Sequence, residues 1–425
     1  MRRQPIVSTH TAKRRDFQGF CIKVESLAFW FWFFEAIEGC LTFVFFQSNP
    51  VLGTLVGYLP PAGYGFFLVS SLLIGCRLRQ SEILKPMAAK LLLSLALWSG
   101  ITLFWTGASP LFSAFGYWAT LALKIFIVLL LLSLENIEGV VIKCLQGFAW
   151  GSLVYALVPF LLNARTSDGR LGNEEFFHPN NIGEQMAIAC LCTIYLALQS
   201  WGRSSERRPY ILILLFLLFT LLRSLSKTSI LSFLIAALVY VIRSKINVQR
   251  KITLVSIAGV VIAISSAALS AYLDKYLNEQ QGGEALETAS GRTIIWEIAW
   301  QMIQENPIWG YGYQSYRNVA PQIIQLRLVH PHNEWLNIWF NLGGVGMVLG
   351  VLTYIAYSWQ VRCAAQARLP QEALGLALMI FSLIRGLTEA NIPDFLCYPS
   401  SLMMLMIGWM SQRNQTSSSN GDSYG

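Results

Sequence analysis

The segment His330-Pro331-His332-Asn333-Glu334-Trp335 places two of the chain's four histidines and a carboxylate directly before a hydrophobic run that breaks at Gly343-Gly344-Val345-Gly346. Ionisable groups at the mouth of a membrane helix are costly, so they call for a role. Three roles are open to His332: general base or proton shuttle, hydrogen-bonding strut, or metal ligand. Glu334 can orient His332 or pair with an arginine. Pro331 favours an extended backbone at its neighbour, which is expected to point the His330 and His332 rings apart. A metal site needs at least three ligands. Only His178 and Glu334 stand as additions to the two histidines, and no other group has metal spacing, so no metal and no cofactor are expected.

Several cations stand where an anion is the natural partner. A helix is expected over 292–305, with Ile294, Ile295, Ile298 and Met302 on one side and Asn306-Pro307 as its stop. Arg292 opens it. There it opposes the macrodipole, but together with the first-turn amides it can aim at one anion; the alternative is a solvated surface arginine. Arg223 and Lys227 bracket a tight turn between two apolar runs, where they either snorkel to headgroups or capture a phosphate whose lipid tail lies in the bilayer. Arg170, in a glycine-flanked loop, has the same two readings. Gly310-Tyr311-Gly312-Tyr313, with Trp309 and Tyr316, offers aromatic faces on a flexible loop. Tyr313 is a candidate for stacking on a sugar, or the whole segment anchors at the interfacial belt.

The elements that must position these residues are membrane helices. Mean hydropathy is +0.49; 54% of residues are hydrophobic and 13% charged, against about 25% charged in a soluble domain. The sequence reads as an all-α polytopic membrane protein with about twelve spans, at roughly 26–46, 54–75, 88–106, 111–133, 139–162, 182–200, 209–223, 226–242, 252–272, 333–358, 372–388 and 397–411. Pro60-Pro61 is expected to kink the second span or make it re-entrant. The net charge of +8 does not point to nucleic acid, because twenty-one basic residues fall in one set of loops and nine in the other. That asymmetry makes both termini cytoplasmic. The domain reading is a cytoplasmic arm over 1–25, spans 1–9 over 26–272, a large outer loop with an amphipathic helix over 273–332, spans 10–12 over 333–411, and a disordered tail over 412–425. The basic, polar arm does not read as a cleaved leader. Eight scattered cysteines read as buried structural thiols.

Four segments together resemble the O-antigen ligase and polymerase superfamily. His332-Asn333, followed by Gly343-x-x-Gly346, matches its His-Asn…Gly-x-x-Gly signature. Gly291-Arg292-Thr293 through Trp296, then Pro307 through Tyr313, is similar to its GRxxxW…PxxGxG segment. Phe177-His178-Pro179-Asn180-Asn181-Ile182-Gly183 resembles its HxNxxG segment. Ser224-Leu225-Ser226-Lys227-Thr228 resembles the form common in exopolysaccharide polymerases of the ExoQ type. The resemblance covers roughly 150–360, in matching order.

It implies a GT-C-like glycosyltransferase of the bacterial inner membrane, working on the outer face. Such an enzyme takes a glycan from undecaprenyl pyrophosphate and passes it to a hydroxyl. The acceptor is another lipid-linked glycan in a polymerase of O-antigen or exopolysaccharide repeats, or lipid A-core in a ligase. It implies His332 as the catalytic histidine and Arg170, Lys227 and Arg292 as pyrophosphate contacts, and a chain-length regulator as a possible partner. Cationic side chains at the leaving group make a metal-independent reaction the expectation. A transporter of lipid-linked sugars is the competing class; it should show internal pseudo-symmetry and midplane site residues, whereas the candidate cations gather on one face.

Overall fold

The computed structural model describes residues 25–40, 59–73, 84–133, 136–166, 169–173, 177–244, 247–253, 256, 292–324, 330–367, 369, 371–390 and 400–419. Among these the backbone is helical apart from turns and one isolated bridge between Arg165 and Leu171. In lipid a helix satisfies every backbone group within its own segment, which is why a chain this apolar folds so.

The helices are α1 (25–40), α2 (Leu59–Leu73), α3 (Met87–Ile101, extended by a 3₁₀ turn to Trp105), α4 (Leu111–Leu132), α5 (Ile137–Leu161), α6 (Pro179–Gln199), α7 (Ser204–Ser224), α8 (Lys227–Arg243), α9 (Arg292–Glu305), α10 (Tyr316–Ile324), α11 (Glu334–Gln366), α12 (Glu372–Gly386) and α13 (Ser400–Ser419). Among the described residues, five stretches are long and apolar enough to cross a membrane: Met87–Trp105, Leu111–Leu132, Ile137–Leu161, Pro179–Gln199 and Glu334–Gln366. They coincide with the expected spans 88–106, 111–133, 139–162, 182–200 and 333–358. Of the expected spans 26–46, 54–75 and 397–411 only part is described, and the helices at 209–223, 226–242 and 372–388 are shorter or polar at one end. Most of the expected span 252–272, and the loop residues 273–291, lie outside the described residues. Pro60 and Pro61 fall at the beginning of the described part of α2, and the residues before Leu59, on which the expected kink depends, lie outside the described residues.

Helix α6 is the axis of the half that carries the histidine-proline-asparagine segment. It is buried almost all round and packs against α5, α7, α8 and α12. That explains why it shows no polar face: a helix covered on every side is apolar on every side. The other half is organised by α11, which packs against α3, α9, α12 and α13.

Helix α11 breaks at Gly343 (φ 65°, ψ −171°). The break frees carbonyls, and neighbouring donors take them. Tyr311 N–H donates to Phe340 O at 2.9 Å, Gly312 N–H to Asn341 O at 2.8 Å, and Trp98 Nε1–H to Leu342 O at 2.9 Å, while Gly344 N–H donates to Pro307 O at 2.8 Å. The two backbones run so close that a Cβ on Gly310 would meet Gly343 N and Phe340 O, and one on Gly343 would meet the Ile308 carbonyl. The glycines of the two motifs are thus one interlock. Tyr311 stacks on Phe340 at 4.6 Å. The 310–313 segment is therefore a packed latch and not the flexible aromatic loop expected from its sequence.

Above the break, α9 and α10 build a small second core from Ala299, Met302, Ile303, Tyr316, Ala320 and Phe340. Helix α9 ends where expected, at Glu305, and its described part opens at Arg292. Its buried stripe is shifted, however: Ile294 is 58% exposed, while Ala299 and Ile303 join Met302 inside. The stripe follows the latch and α10, which the sequence did not announce.

Candidate active site

Four segment ends converge on one carboxylate, Glu389. It follows α12, and its N–H donates to Arg385 O at 2.9 Å. Although it is only 3% exposed, both of its oxygens are engaged. Oε1 lies 2.7 Å from His332 Nδ1 and 3.9 Å from His330 Nε2. Oε2 accepts from Asn180 Nδ2 at 2.9 Å and meets Arg292 Nη2 at 3.2 Å. Arg292 Nη1 also donates to the Thr388 carbonyl.

Each partner is positioned by a helix terminus. Asn333 caps α11 by accepting from Leu336 N–H at 3.0 Å, and its Nδ2 donates to Leu387 O at 3.0 Å, tying the start of α11 to the end of α12. His178 caps α6 through Nδ1, which accepts from Asn180 N–H at 3.3 Å, with Pro179 in the first turn. Asn180 Oδ1 accepts from Arg170 Nη2 at 2.7 Å, and Arg170 Nε donates to Ser224 O at 3.0 Å. Gly183 allows the start of α6 to press on Ser224 and Ser226, where a Cβ would stand 2.6 Å from Ser226 Cβ. The α7–α8 turn closes on the Arg170 loop as Leu171 N–H donates to Arg223 O at 3.0 Å. Trp296 of α9 donates from Nε1 to Pro331 O at 2.9 Å.

His332 has φ 51°, a left-handed conformation that a bulky non-glycine residue adopts only when its surroundings impose it. Its N–H donates to His330 Nδ1 at 3.2 Å. That turn folds the two rings together, with centroids 4.4 Å apart at 69°. The expectation that Pro331 would splay them is therefore corrected: the left-handed residue after the proline outweighs the extended preference.

Burial pushes the Glu389 carboxyl up, but the His332 hydrogen bond and the neighbouring His332, Arg385 and His330 outweigh it and hold the carboxyl well below the usual range. His330 goes down to about 3, first through burial and then through His332, against the pull of Glu389. It is therefore neutral. With Nδ1 accepting the His332 N–H, its proton sits on Nε2, facing Glu389.

Among the residues expected to act, the structure brings His330, His332, Arg170 and Arg292 into this network. Glu334 is buried at the first position of α11, and the carboxylate on His332 Nδ1 is that of Glu389. Lys227 opens α8 with an exposed side chain, and Arg223 ends α7. Tyr313 is corrected as a sugar-stacking candidate. It is 1% exposed, its N–H donates to Thr102 Oγ1 at 3.1 Å and its carbonyl accepts from Thr106 Oγ1 at 2.6 Å. Of the aromatic residues in that segment, Trp309 is the exposed one, at 59%, against Trp98 and Trp105.

Glu389 and Asn180 are what sequence reasoning missed. Asn180 lay inside a quoted motif, and Glu389 lies just after α12, 57 residues from His332; only the fold joins them. His330, His332 and Glu389 could also share a metal ion, since one ligand atom from each lies within 4.8 Å of the others. The third ligand is thus Glu389 and not His178 or Glu334. The same carboxylate also pairs with Arg292.

Residues 212–351 match the family model described as O-Antigen ligase. A comparison with curated proteins returned no match. The matched stretch holds the α7–α8 turn, Arg292, the latch, His332 and the Gly343 break, and it supports a ligase- or polymerase-type activity at a bacterial membrane. The match over this stretch supports the O-antigen ligase and polymerase superfamily for this chain.

Proposed function

We propose that the protein is a metal-independent membrane glycosyltransferase that moves a glycan from undecaprenyl pyrophosphate to an acceptor hydroxyl on the outer face. Its best reading is a polymerase of O-antigen or exopolysaccharide repeat units. The observation that carries this is the Glu389 carboxylate, which joins the histidine to two candidate phosphate-binding arginines. By accepting from His332 Nδ1–H it leaves Nε2 as the basic nitrogen. Nε2 takes the proton of the acceptor hydroxyl as its oxygen attacks the anomeric carbon. The bond from that carbon to the pyrophosphate oxygen breaks, and polyprenyl pyrophosphate leaves with the charge. Arg292 and Arg170, held on Glu389 directly and through Asn180, are placed to meet that charge. Lys227 and Arg223, at the neighbouring turn, add to the field. Glu334 supports the start of α11.

The setting we propose is the bacterial inner membrane, with twelve spans, both termini cytoplasmic and the 273–332 loop outside, in a GT-C-like arrangement. Ligation onto lipid A-core is the second reading, favoured by the description of the matching family model. Donor use by purified protein in excess EDTA tests the mechanism. Arg292→Ala and Arg170→Ala should weaken it more than Arg317→Ala, whose guanidinium lies 5.1 Å over the Tyr117 ring. Activity lost to EDTA and restored by Mg²⁺ or Mn²⁺, or equal effects of the three substitutions, would count against it.

A further inference from the structure

The end of α6 away from Asn180 carries a basic cluster that glycosyl transfer does not use. Helix α6 runs for 21 residues, which is roughly 30 Å of rise. Trp201 follows it, and its N–H donates to Leu198 O at 3.3 Å. Two guanidiniums stand on the Trp201 ring. Arg207 of α7 has Cζ 4.5 Å from the ring centroid, and Arg250 has Cζ 5.4 Å from it. Arg207 Nη1 also donates to Trp201 O at 3.4 Å. Arg250 belongs to a short helical turn over 248–253, opened by Asn247, whose Oδ1 accepts from Arg250 N–H at 3.1 Å. One indole thus gathers cations from two separate segments of the chain.

The local carboxylate does not balance them. Glu206, next to Arg207 in the sequence, is held by Arg203 at 3.2 Å. Among the described residues no carboxylate lies within ion-pair reach of Arg207 or Arg250, nor of their neighbours Arg208 and Lys251. The Nε–H groups of Arg207 and Arg250 are shielded from solvent and meet no acceptor there. Like charges held on one ring repel, and a shielded N–H without an acceptor is costly. A phosphate relieves both, since it brings negative charge and several acceptor oxygens that fit a guanidinium fork. The surroundings indicate what carries the phosphate. Trp201 stands just past the end of a membrane-spanning helix, at the level where tryptophan meets lipid headgroups. Val248 and Ile252, one turn apart on the Arg250 segment, are 70% and 60% exposed, and Leu212, one turn beyond Arg208 on α7, is 67% exposed. Cations beside bare apolar side chains match a charged headgroup with acyl chains attached.

We propose that Trp201, Arg207 and Arg250 form a binding site for an anionic membrane phospholipid, at the end of α6 opposite the Glu389 network. The two guanidiniums take the phosphate, and Val248, Ile252 and Leu212 lie along the acyl chains. The bound lipid ties the 248–253 turn to the α6–α7 junction.

The test is native mass spectrometry of the full-length protein in detergent, titrated with phosphatidylglycerol or with phosphatidylcholine of the same acyl chains. The wild type should retain phosphatidylglycerol in preference. Arg207→Gln and Arg250→Gln should each weaken that binding roughly tenfold or more and leave phosphatidylcholine unchanged. Arg362→Gln, which removes a guanidinium standing alone 5.8 Å over the Trp359 ring, should bind as the wild type does. No preference for phosphatidylglycerol in the wild type would overturn the proposal, and that arm needs no variant to fold. Equal losses in all three variants would overturn it too, since they would show a general attraction to positive charge. Displacement of the lipid by millimolar inorganic phosphate would make this a site for the free ion and would also overturn it. The readout is independent of glycosyl transfer, so its failure leaves the reading of His332 untouched.

Discussion

His332 is held in a left-handed backbone conformation, with one ring nitrogen on a buried carboxylate and its amide on a second imidazole. In the proposed mechanism this arrangement presents the histidine as a base, with the ring oriented before substrate arrives. His332→Ala is expected to lower transfer by roughly 10²–10⁴-fold with expression and helicity unchanged. Glu389→Gln keeps the shape and removes the charge, and should lose on the order of 10²-fold or more. His330→Ala, which removes a strut, should be milder than either. Rates of the purified variants, with circular dichroism as the folding control, check all three; a Glu389→Gln enzyme with wild-type rates would remove the carboxylate from the mechanism. Acid should also loosen the site. His330 has its folded value depressed to about 3, so the unfolded chain takes up its proton first. The stability it contributes is present above its ordinary value near 6.5 and is lost as pH falls toward 3. Glu389, also depressed, acts in the same direction at lower pH. Thermal melts should fall on acidification below about 6.5, and His330→Asn should flatten the upper part of that fall; an unchanged slope would contradict the assignment.

At the scale of elements, the Gly-x-x-Gly and Gly-Tyr-Gly-Tyr motifs are one structure, a helix break whose freed carbonyls are taken by a latch. Gly343→Ala forces a side chain onto φ 65° and into the Ile308 carbonyl. It should cost roughly 1–3 kcal/mol and lower the melting temperature. Gly116→Ala, where a Cβ would meet nothing within 4 Å, should be neutral or slightly stabilising, as a helix interior prefers alanine. Equal effects at the two positions would refute the interlock. These elements were legible in the sequence to different depths. Helix ends carry local signals: Asn306-Pro307 marked the end of α9, and the spans expected from 182 and 333 open within three residues of α6 and α11. What pairs with a helix break is a tertiary fact, and Tyr313 looked like a surface aromatic because nothing local records that Thr102 and Thr106 bury it. Glu389 was invisible for the same reason. A lone glutamate near a span reads as a loop charge until α6, α9, α11 and α12 bring four partners to it.

For the whole molecule, hydropathy runs and basic-residue asymmetry carried the all-helical membrane reading, because the bilayer constrains length and charge strongly. Neither carries which helix stands next to which, and so neither foretold α6 as a buried axis. Single cysteines at Gln280 and Ser418, on a background without native cysteines, should react with an impermeant thiol reagent from opposite sides of the membrane; labelling of both from outside would overturn the topology. The central claim is that the Glu389 network around His332 performs glycosyl transfer between lipid-linked glycans. The most direct measurement is incubation of the purified protein, in EDTA, with a lipid-linked repeat unit as sole substrate. The account predicts a ladder of longer lipid-linked chains from the wild type and none from His332→Ala. A ladder from His332→Ala equal to that of the wild type, or no transfer by the wild type until lipid A-core is supplied, would contradict it.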